Sequence, residues 1–424
     1  PQLPVPEAWP KSAAPAQEQA GPKAAELPWK EFFQDPKVQS VIEMALANNR
    51  DLRTAVLNVE RSRALYRIQR NQLLPEVGVS AVGDRYRLPE KMSATGRAQT
   101  VEQYSVSVGA TAWEIDLFGR LRSLKERALN EYFATDQARG AAQISLVAAV
   151  ADGYLAWAAD VQSRKLAQFT LDAQQAYYEL ILKKREAGIS SDLEVSQAKS
   201  QMDAARVELA RYAGFVATDE NALQLLAGAP IPPQLAPAGL DEVKQPGEVE
   251  TGLPSDVLLN RPDVAQAEFQ LKAANASIGA ARANFFPRIT LTGSFGTMSN
   301  DLSDLFKSGT RTWSFAPQVY QPLFGAGSRL ATLKATKVER EMAVAQYEKA
   351  VQTAFREVSD ALALRTTLGE QEEAQRSLVQ SLSTSYDLSE ASYTEGMESY
   401  LGVRGAQQAL YAEQSRRGSV RPAR

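Results

Sequence analysis

Histidine and cysteine are both missing from this chain of 424 residues. Their absence removes most transition-metal sites, thiol nucleophiles and Ser-His-Asp chemistry. Carboxylates, Lys, Tyr and Ser remain, but no phosphate loop, ligand spacing or nucleophile-base pair sets them up for reaction. No enzyme activity, cofactor or metal is therefore expected. Charge of one sign is lacking as well: 47 Lys+Arg stand against 50 Asp+Glu. Nucleic acid needs a concentrated basic face, so no nucleic-acid partner is expected. Long apolar runs are scarce: no window of about 20 apolar residues is apparent, so no transmembrane helix is expected. The chain opens Pro1-Gln2-Leu3-Pro4 without a charged leader, so any targeting peptide is taken as removed or never present. Lack of Cys is compatible with export without establishing it.

The chain divides by period and punctuation. Residues 1–34 begin with a Pro-rich stretch that supports neither helix nor sheet and reads as an extended arm. Residues 35–74 carry apolar positions at helical spacing (Val41, Ala45, Leu52, Val56, Val59) and stop at Pro75. In residues 75–116 the period changes to two: Val77, Val79 and Ala81 on one arm, Tyr104 to Ala112 on the other, joined by a long polar loop. This predicts a hairpin. Residues 117–228 form a long helix pair that reverses at Gly188; the first helix, at ~1.5 Å per residue, would reach ~100 Å. Residues 229–253 are a Pro/Gly-rich connector. Residues 254–284 are helical, 285–324 give a second hairpin, and 325–424 give a second helix pair reversing at Gly396.

The second half repeats the first. Pro287 lies 212 residues beyond Pro75, Gly325 lies 206 beyond Gly119, and Gly396 lies 208 beyond Gly188. Around the turns, Gly188, Ser191, Leu193, Val195 and Ala198 correspond to Gly396, Ser399, Leu401, Val403 and Ala406. Such near-constant offsets mark an internal duplication of helix, hairpin, long helix, tight turn and return helix.

Two hairpins supply four strands, and an open four-stranded sheet has two unpaired edges. Small polar residues on one face and apolar residues on the other would suit a barrel closed by several chains, wet inside and lipid-facing outside. Tyr86, Tyr104, Trp113, Trp313 and Phe315 lie near strand ends, where an interfacial aromatic girdle is expected. A soluble antiparallel sheet with one buried face is the plainer alternative. Pro317 is awkward for both, because a proline inside a paired strand loses a ladder bond.

From about Trp29 to Gln414 the chain resembles the TolC-type outer-membrane efflux channels, in the lipoprotein branch that works with resistance-nodulation-division drug pumps. The most specific stretches are Asn48-Asn49-Arg50-Asp51-Leu52-Arg53, Trp113-Glu114-Ile115-Asp116-Leu117-Phe118-Gly119-Arg120, Leu258-Leu259-Asn260-Arg261-Pro262-Asp263 and Phe285-Phe286-Pro287-Arg288-Ile289. The resemblance implies a mainly α fold with a transmembrane β-barrel. Three chains would build one 12-stranded barrel, four strands per chain, continuous with a long periplasmic α-helical barrel closed at the tip turns. It also implies a homotrimer in outer-membrane lipid, a periplasmic adaptor at the tip, an inner-membrane resistance-nodulation-division pump, and drugs as the cargo.

Carried over by position, Leu401 is implied as an apolar gate residue and Tyr393 as a tie between neighbouring tip helices. Glu194 is implied as a gate residue too, at the matching acidic position of the first repeat, where it keeps negative charge at the constriction. The turns at Gly188, Ser191, Gly396 and Ser399 are implied as the adaptor contact. Glu194, Glu395 and Glu398 also read as an ordinary solvated helix surface. Gly188 and Gly396 each suit a reversing turn that needs positive φ. The family motif carries an acid just before Ala406-Gln407, where this chain has Gly405. Its last helix also stops some 25 residues sooner than the family pattern, and a lipidated Cys ahead of residue 1 is supposed from the resemblance alone. A type I protein-secretion channel shares this architecture; a periplasmic coiled-coil adaptor would share only the helix pairs.

Overall fold

The structure is a computed structural model that describes residues 5–6, 27–247, 255–397 and 399–420; most of the expected N-terminal arm lies outside them. The chain forms two compact units. One comprises Pro1–Val56, Arg139–Val264 and Ala350–Arg424, and the other Leu57–Ala138 and Ala265–Lys349.

In the first unit, after a single turn α1 (Trp29–Phe32), helix α2 (Pro36–Asn48) starts at Asp35. The Asp35 side chain accepts from the Lys37 and Val38 N–H groups, satisfying two donors of the first turn. Its other oxygen accepts from Lys244 N–H at 3.2 Å, which ties the connector to the helix start. The α2 face of Val38, Val41, Ile42 and Ala45 packs with Val147, Val150, Tyr154 and Trp157 of α4 (Arg120–Glu186) and with Val216 and Leu223 of α5 (Asp192–Ala227). Each of the Val, Ile and Leu side chains contributes about 1.5–3 kcal/mol by burial. Tyr154 is fully buried yet satisfied, its hydroxyl donating to Leu235 O at 3.0 Å.

The expected single helix over 35–74 is two. Asn49 adopts an extended conformation at the end of α2, and α3 (Arg50–Asn71) follows. The Asn49 side chain accepts from Leu52 N–H at 2.8 Å, capping α3, and donates to Leu226 O. Asn is suited to this because its short amide offers an oxygen to the local Leu52 N–H and an NH2 to a carbonyl on another helix.

Helix α4 (Arg120–Glu186) runs 67 residues, α5 (Asp192–Ala227) returns along it, and α7 (Ala326–Thr394, 69 residues) and α8 (Tyr400–Val420) repeat the pair. Gly140 and Gly153 do not interrupt α4. A Cβ at residue 153 would come 3.3 Å from the Leu223 side chain, so the glycine admits α5 closely. One expectation needs correction: by length and composition α4 contains a stretch apolar enough to cross a membrane. Its Ala-rich composition is what passes the test, and its Val147, Val150, Tyr154 and Trp157 are turned into the unit's own core.

The second unit holds an antiparallel sheet in the order β1-β2-β3-β4, from β1 (Val77–Leu88), β2 (Gln99–Glu114), β3 (Arg288–Ser299) and β4 (Arg311–Tyr320). Helix α6 (Pro262–Ala283) leads into β3. The register stacks Val79, Val108, Phe295 and Trp313 across one face. The other carries Ser80, Ser107, Gly296 and Thr312, and the Ser294 and Ser314 hydroxyls there lie 2.8 Å apart. Trp313 and Phe315 are exposed on the apolar face. Tyr86 pairs with Val101 on the polar face, so it does not belong to an aromatic girdle on the apolar one. A bulge in β2 between Ala110 and Trp113, where Ala112 takes φ 51°, keeps Trp113 on the apolar face beside Leu291.

Pro317 finds a simple explanation. Met298 N–H donates to Thr310 O at 2.8 Å and Ile115 N–H to Ile289 O at 2.9 Å. Even-numbered residues of β3 therefore bond to β4, and odd-numbered ones to β2. Pro317 faces Leu291 at a non-hydrogen-bonded pair, and its missing donor points to the open edge.

Where β2 leaves the sheet, Arg120 grips Glu114 with two bonds of 2.8 and 2.7 Å, and Arg288 lies 3.4 Å from the same carboxylate. Phe118 stacks on Phe286. By the duplication the equivalent of Phe118 in the second repeat is Phe324, which is 90% exposed, and the equivalent of Phe286 in the first repeat is Leu74, 66% exposed.

Candidate gate and docking site at the helix turns

Both reversals have the same backbone chemistry. Gly188 takes φ 72° and Gly396 φ 75°. Gly188 N–H donates to Arg185 O and Ile189 N–H to Lys184 O; in the second turn Gly396 N–H donates to Tyr393 O and Met397 N–H to Ser392 O, all at 2.8–3.0 Å. This crossed pair of bonds satisfies the last carbonyls of α4 and α7, and only a left-handed residue allows it. In such a turn the residue after the glycine usually packs an apolar side chain back onto the helix. Here the receiving positions are Lys184 and Ser392, so Ile189 and Met397 stand 75% and 72% exposed, with Leu193 exposed beside the first. The turns thus present apolar groups to the outside.

The two return helices start differently. Ser191 caps α5: its hydroxyl accepts from Glu194 N–H at 3.3 Å, while Glu194 Oε2 accepts from Ser191 N–H at 2.8 Å. The Ser190 hydroxyl, then the Ser191 groups, hold the Glu194 carboxyl below its usual range. Glu194 therefore fastens the first turn. Ser399 occupies the equivalent place before α8, but three residues on stands Gly402, which has no carboxylate to return; its N–H donates to Ser399 O at 3.0 Å.

Leu401 falls in the first turn of α8, and its side chain lies outside the described residues. Tyr393 is half-buried in the last turn of α7. Gly405 is exposed with open space about it. Negative charge is nevertheless present near the second turn, in Asp387, Glu390 and Glu395, with no basic residue in the last turn of α7. The first turn differs: Lys183, Lys184 and Arg185 close α4, and Arg185 bonds Asp192 at 2.7 Å.

One feature escaped the sequence reading. With the Gln201 amide oriented to satisfy both its ends, its oxygen accepts from three Arg404 nitrogens at 2.9–3.2 Å and its nitrogen donates to Gln174 Oε1. Gln174 in turn donates to Gln407 Oε1 at 3.1 Å. Residues of α4, α5 and α8 thus meet in one polar cluster next to buried Val403 and Ala198. Arg404 is held there, and the only sequence signal was its position beside Gly405. Among the described residues no cluster of His, Cys, Asp or Glu could hold a metal.

A profile of the outer membrane efflux protein family matches residues 41–229 and 253–421. The chain is 47% identical over 416 residues to the probable efflux pump outer membrane protein TtgC of Pseudomonas putida, covering 98% of this chain and 86% of that one. It is 40% identical to the outer membrane protein OprJ of Pseudomonas aeruginosa, covering 97% and 85%. Among solved structures, the open state of the MtrE outer membrane channel of Neisseria gonorrhoeae aligns with TM-score 0.89 and 36% identity over 100% of this chain and 93% of that one.

Proposed function

Because the chain belongs to the outer membrane efflux protein family, we propose that it is the outer-membrane exit channel of a tripartite multidrug efflux system. Three copies close one 12-stranded barrel that continues into a tube of helices through the periplasm. A periplasmic adaptor engages the tip turns, and an inner-membrane resistance-nodulation-division pump supplies the cargo.

The observation that carries this reading is the sheet. It has a small polar face, an apolar face with bare Val79, Phe295, Trp313 and Phe315, and two open edges. A folded chain in water would hide such a face; in a barrel, lipid covers it and the polar face lines the route. The long helix pairs then serve as tube and gate. Chemistry plays no part: substrates are pushed through, and conduction depends on whether the turns dilate at the constricted end. Leu401 is the apolar gate, Tyr393 the tie between tips, Glu194 the fastening of the first turn, and Ile189 and Met397 add apolar contact for the adaptor beside Gly188, Ser191, Gly396 and Ser399.

Protein secretion is the second reading, since a secretion channel would need the same tube. The names of the relatives, antibiotic and toluene efflux proteins among them, favour small apolar cargo. Deleting the gene and scoring susceptibility to antibiotics, solvents and detergents separates the two. Increased susceptibility is expected; an unchanged panel together with a lost secreted protein would replace the drug reading with the secretion one.

A further inference from the structure

The sheet's two free edges carry enough information to specify how they meet. We propose that β4 of one copy pairs with β1 of the next in a single, bulge-free register, with Tyr320 opposite Gly78 and Val319 opposite Val79, locked beneath the sheet by Phe324 packing on Leu74. This rests on the three-copy reading above and adds to it the seam itself.

Three independent constraints agree. The first is hydrogen-bond phase. Odd residues of β3 bond to β2, so above the bulge even residues of β2 face β3 and odd ones face β1. By the β1–β2 register, even residues of β1 are then bonded to β2, and odd residues of β1 face the open edge. On β4 it is again the odd residues that face outward. The seam must therefore join odd to odd.

The second is the two-faced pattern. Val77, Val79 and Ala81 lie on the apolar face, as do Trp313, Phe315 and Val319. A slip by one residue would put serine against lipid and valine in the lumen, so odd must again meet odd.

The third fixes the register outright. The chain already contains one seam between its two halves, β2 with β3, which ends at the pair Glu114 and Thr290. Moving Glu114 forward by the 206-residue repeat gives Tyr320, the last residue of β4; moving Thr290 back by 212 gives Gly78. That pair obeys both parity rules, although neither was used to find it. The same translation turns the observed Phe118–Phe286 stack into a Phe324–Leu74 contact, which accounts for why those two large side chains are bare in a single chain.

The register has sensible neighbours. Val319 meets Val79, a β-branched pair, and Phe315 lies opposite Gly83, over which the Tyr104 ring of β2 already sits. Trp313 meets Arg85. Pro317 meets Ala81 at a hydrogen-bonded position, so this seam is one bond shorter than the one inside the chain.

The test exploits the absence of cysteine. In the detergent-solubilised full chain, Gln318→Cys with Ser80→Cys forms a narrow pair across the seam, about 4.5 Å between Cα atoms and within disulfide reach. Oxidation is expected to give covalent trimers on denaturing gels, whereas Gln318→Cys with Val82→Cys or with Gly78→Cys, each two residues off, stays monomeric. A bridge in an off-register pair but not in 318/80 would overturn the register. A particle that sediments as a trimer yet forms no bridge in any pair would overturn the β4–β1 seam while leaving the three-copy reading intact. A particle that sediments as a monomer would overturn both. For the lock, Phe324→Ala is expected to lower the temperature at which the trimer dissociates in dodecyl sulfate by several degrees; an unchanged temperature would remove the Phe324–Leu74 contact.

Discussion

The rings of Phe118 and Phe286 lie face to face, centroids 4.7 Å apart and planes 8° from parallel, where β2 leaves the sheet and β3 enters it. Both rings are partly exposed, so their contact is held more by each other than by a surrounding core. Phe118→Ala is expected to cost about 1–2 kcal/mol, and a double-mutant cycle with Phe286→Ala should return a coupling of about 0.5–1.5 kcal/mol. Denaturant unfolding of the four proteins measures it; additive effects would mean the stack does not matter.

The left-handed glycines make a sharper prediction. A Cβ meets nothing within 4 Å at either Gly188 or Gly396, so Gly396→Ala tests φ alone. The strain should amount to about 1–2 kcal/mol, concentrated in the turn. Amide exchange at residues 392–397 should quicken while α4 and α5 are unaffected.

Unequal caps should make unequal turns. Glu194→Ala removes the reciprocal bonds at the start of α5 and should loosen the first turn, seen as faster amide exchange at residues 188–194. Gly402→Glu supplies α8 with the partner it lacks, Ser399 already being in place. In planar bilayers this variant is expected to open less often than the natural channel, by several-fold. Equal open probabilities would mean that fraying of α8 is no part of gating.

At the proposed gate, Leu401→Ser should raise the conductance of the isolated channel. Single-channel current measures this directly, and no change would place the narrowest point elsewhere.

Asp160 gives a pH signature. Burial, and then the charge and hydrogen bond of Asp219 beside it, push its pKa up from 3.8 to about 6. The folded protein therefore holds a proton that the unfolded chain has released between roughly pH 4 and 6. The associated stability is present below pH 4 and is lost as pH rises through 6. Asp160→Asn should flatten this slope and be the more stable protein at pH 8, as followed by thermal unfolding.

Periodicity carried much of the architecture. Alternation in Tyr104 to Ala112 announced a strand because each side of a barrel wall imposes its own polarity, and the offsets among Pro75, Gly119 and Gly188 and their partners announced the duplication. The break at Asn49 was illegible, since it depends on a bond to Leu226, 177 residues away. For the same reason Arg404 read only as the neighbour of a missing acid: its partners Gln201 and Gln174 lie on other helices, and single glutamines carry no pattern. Glu194 was recognised as an important acid, but its part in a capping box became plain only with Ser191 beside it. Even the apolar stretch of α4, which composition alone would send into a membrane, is explained only by the α2 and α5 side chains packed against it.

Pro317 bears on how such a molecule comes to exist at all. Until a ring closes, each newly made chain carries a naked strand edge on which any passing peptide could nucleate an aggregate. A proline whose absent donor faces that edge makes it a poor template for strangers, while the seam proposed above loses only one bond in exchange. The residue thus trades a little final adhesion for safe passage during biogenesis, a kinetic selectivity that no inspection of the finished pore would reveal.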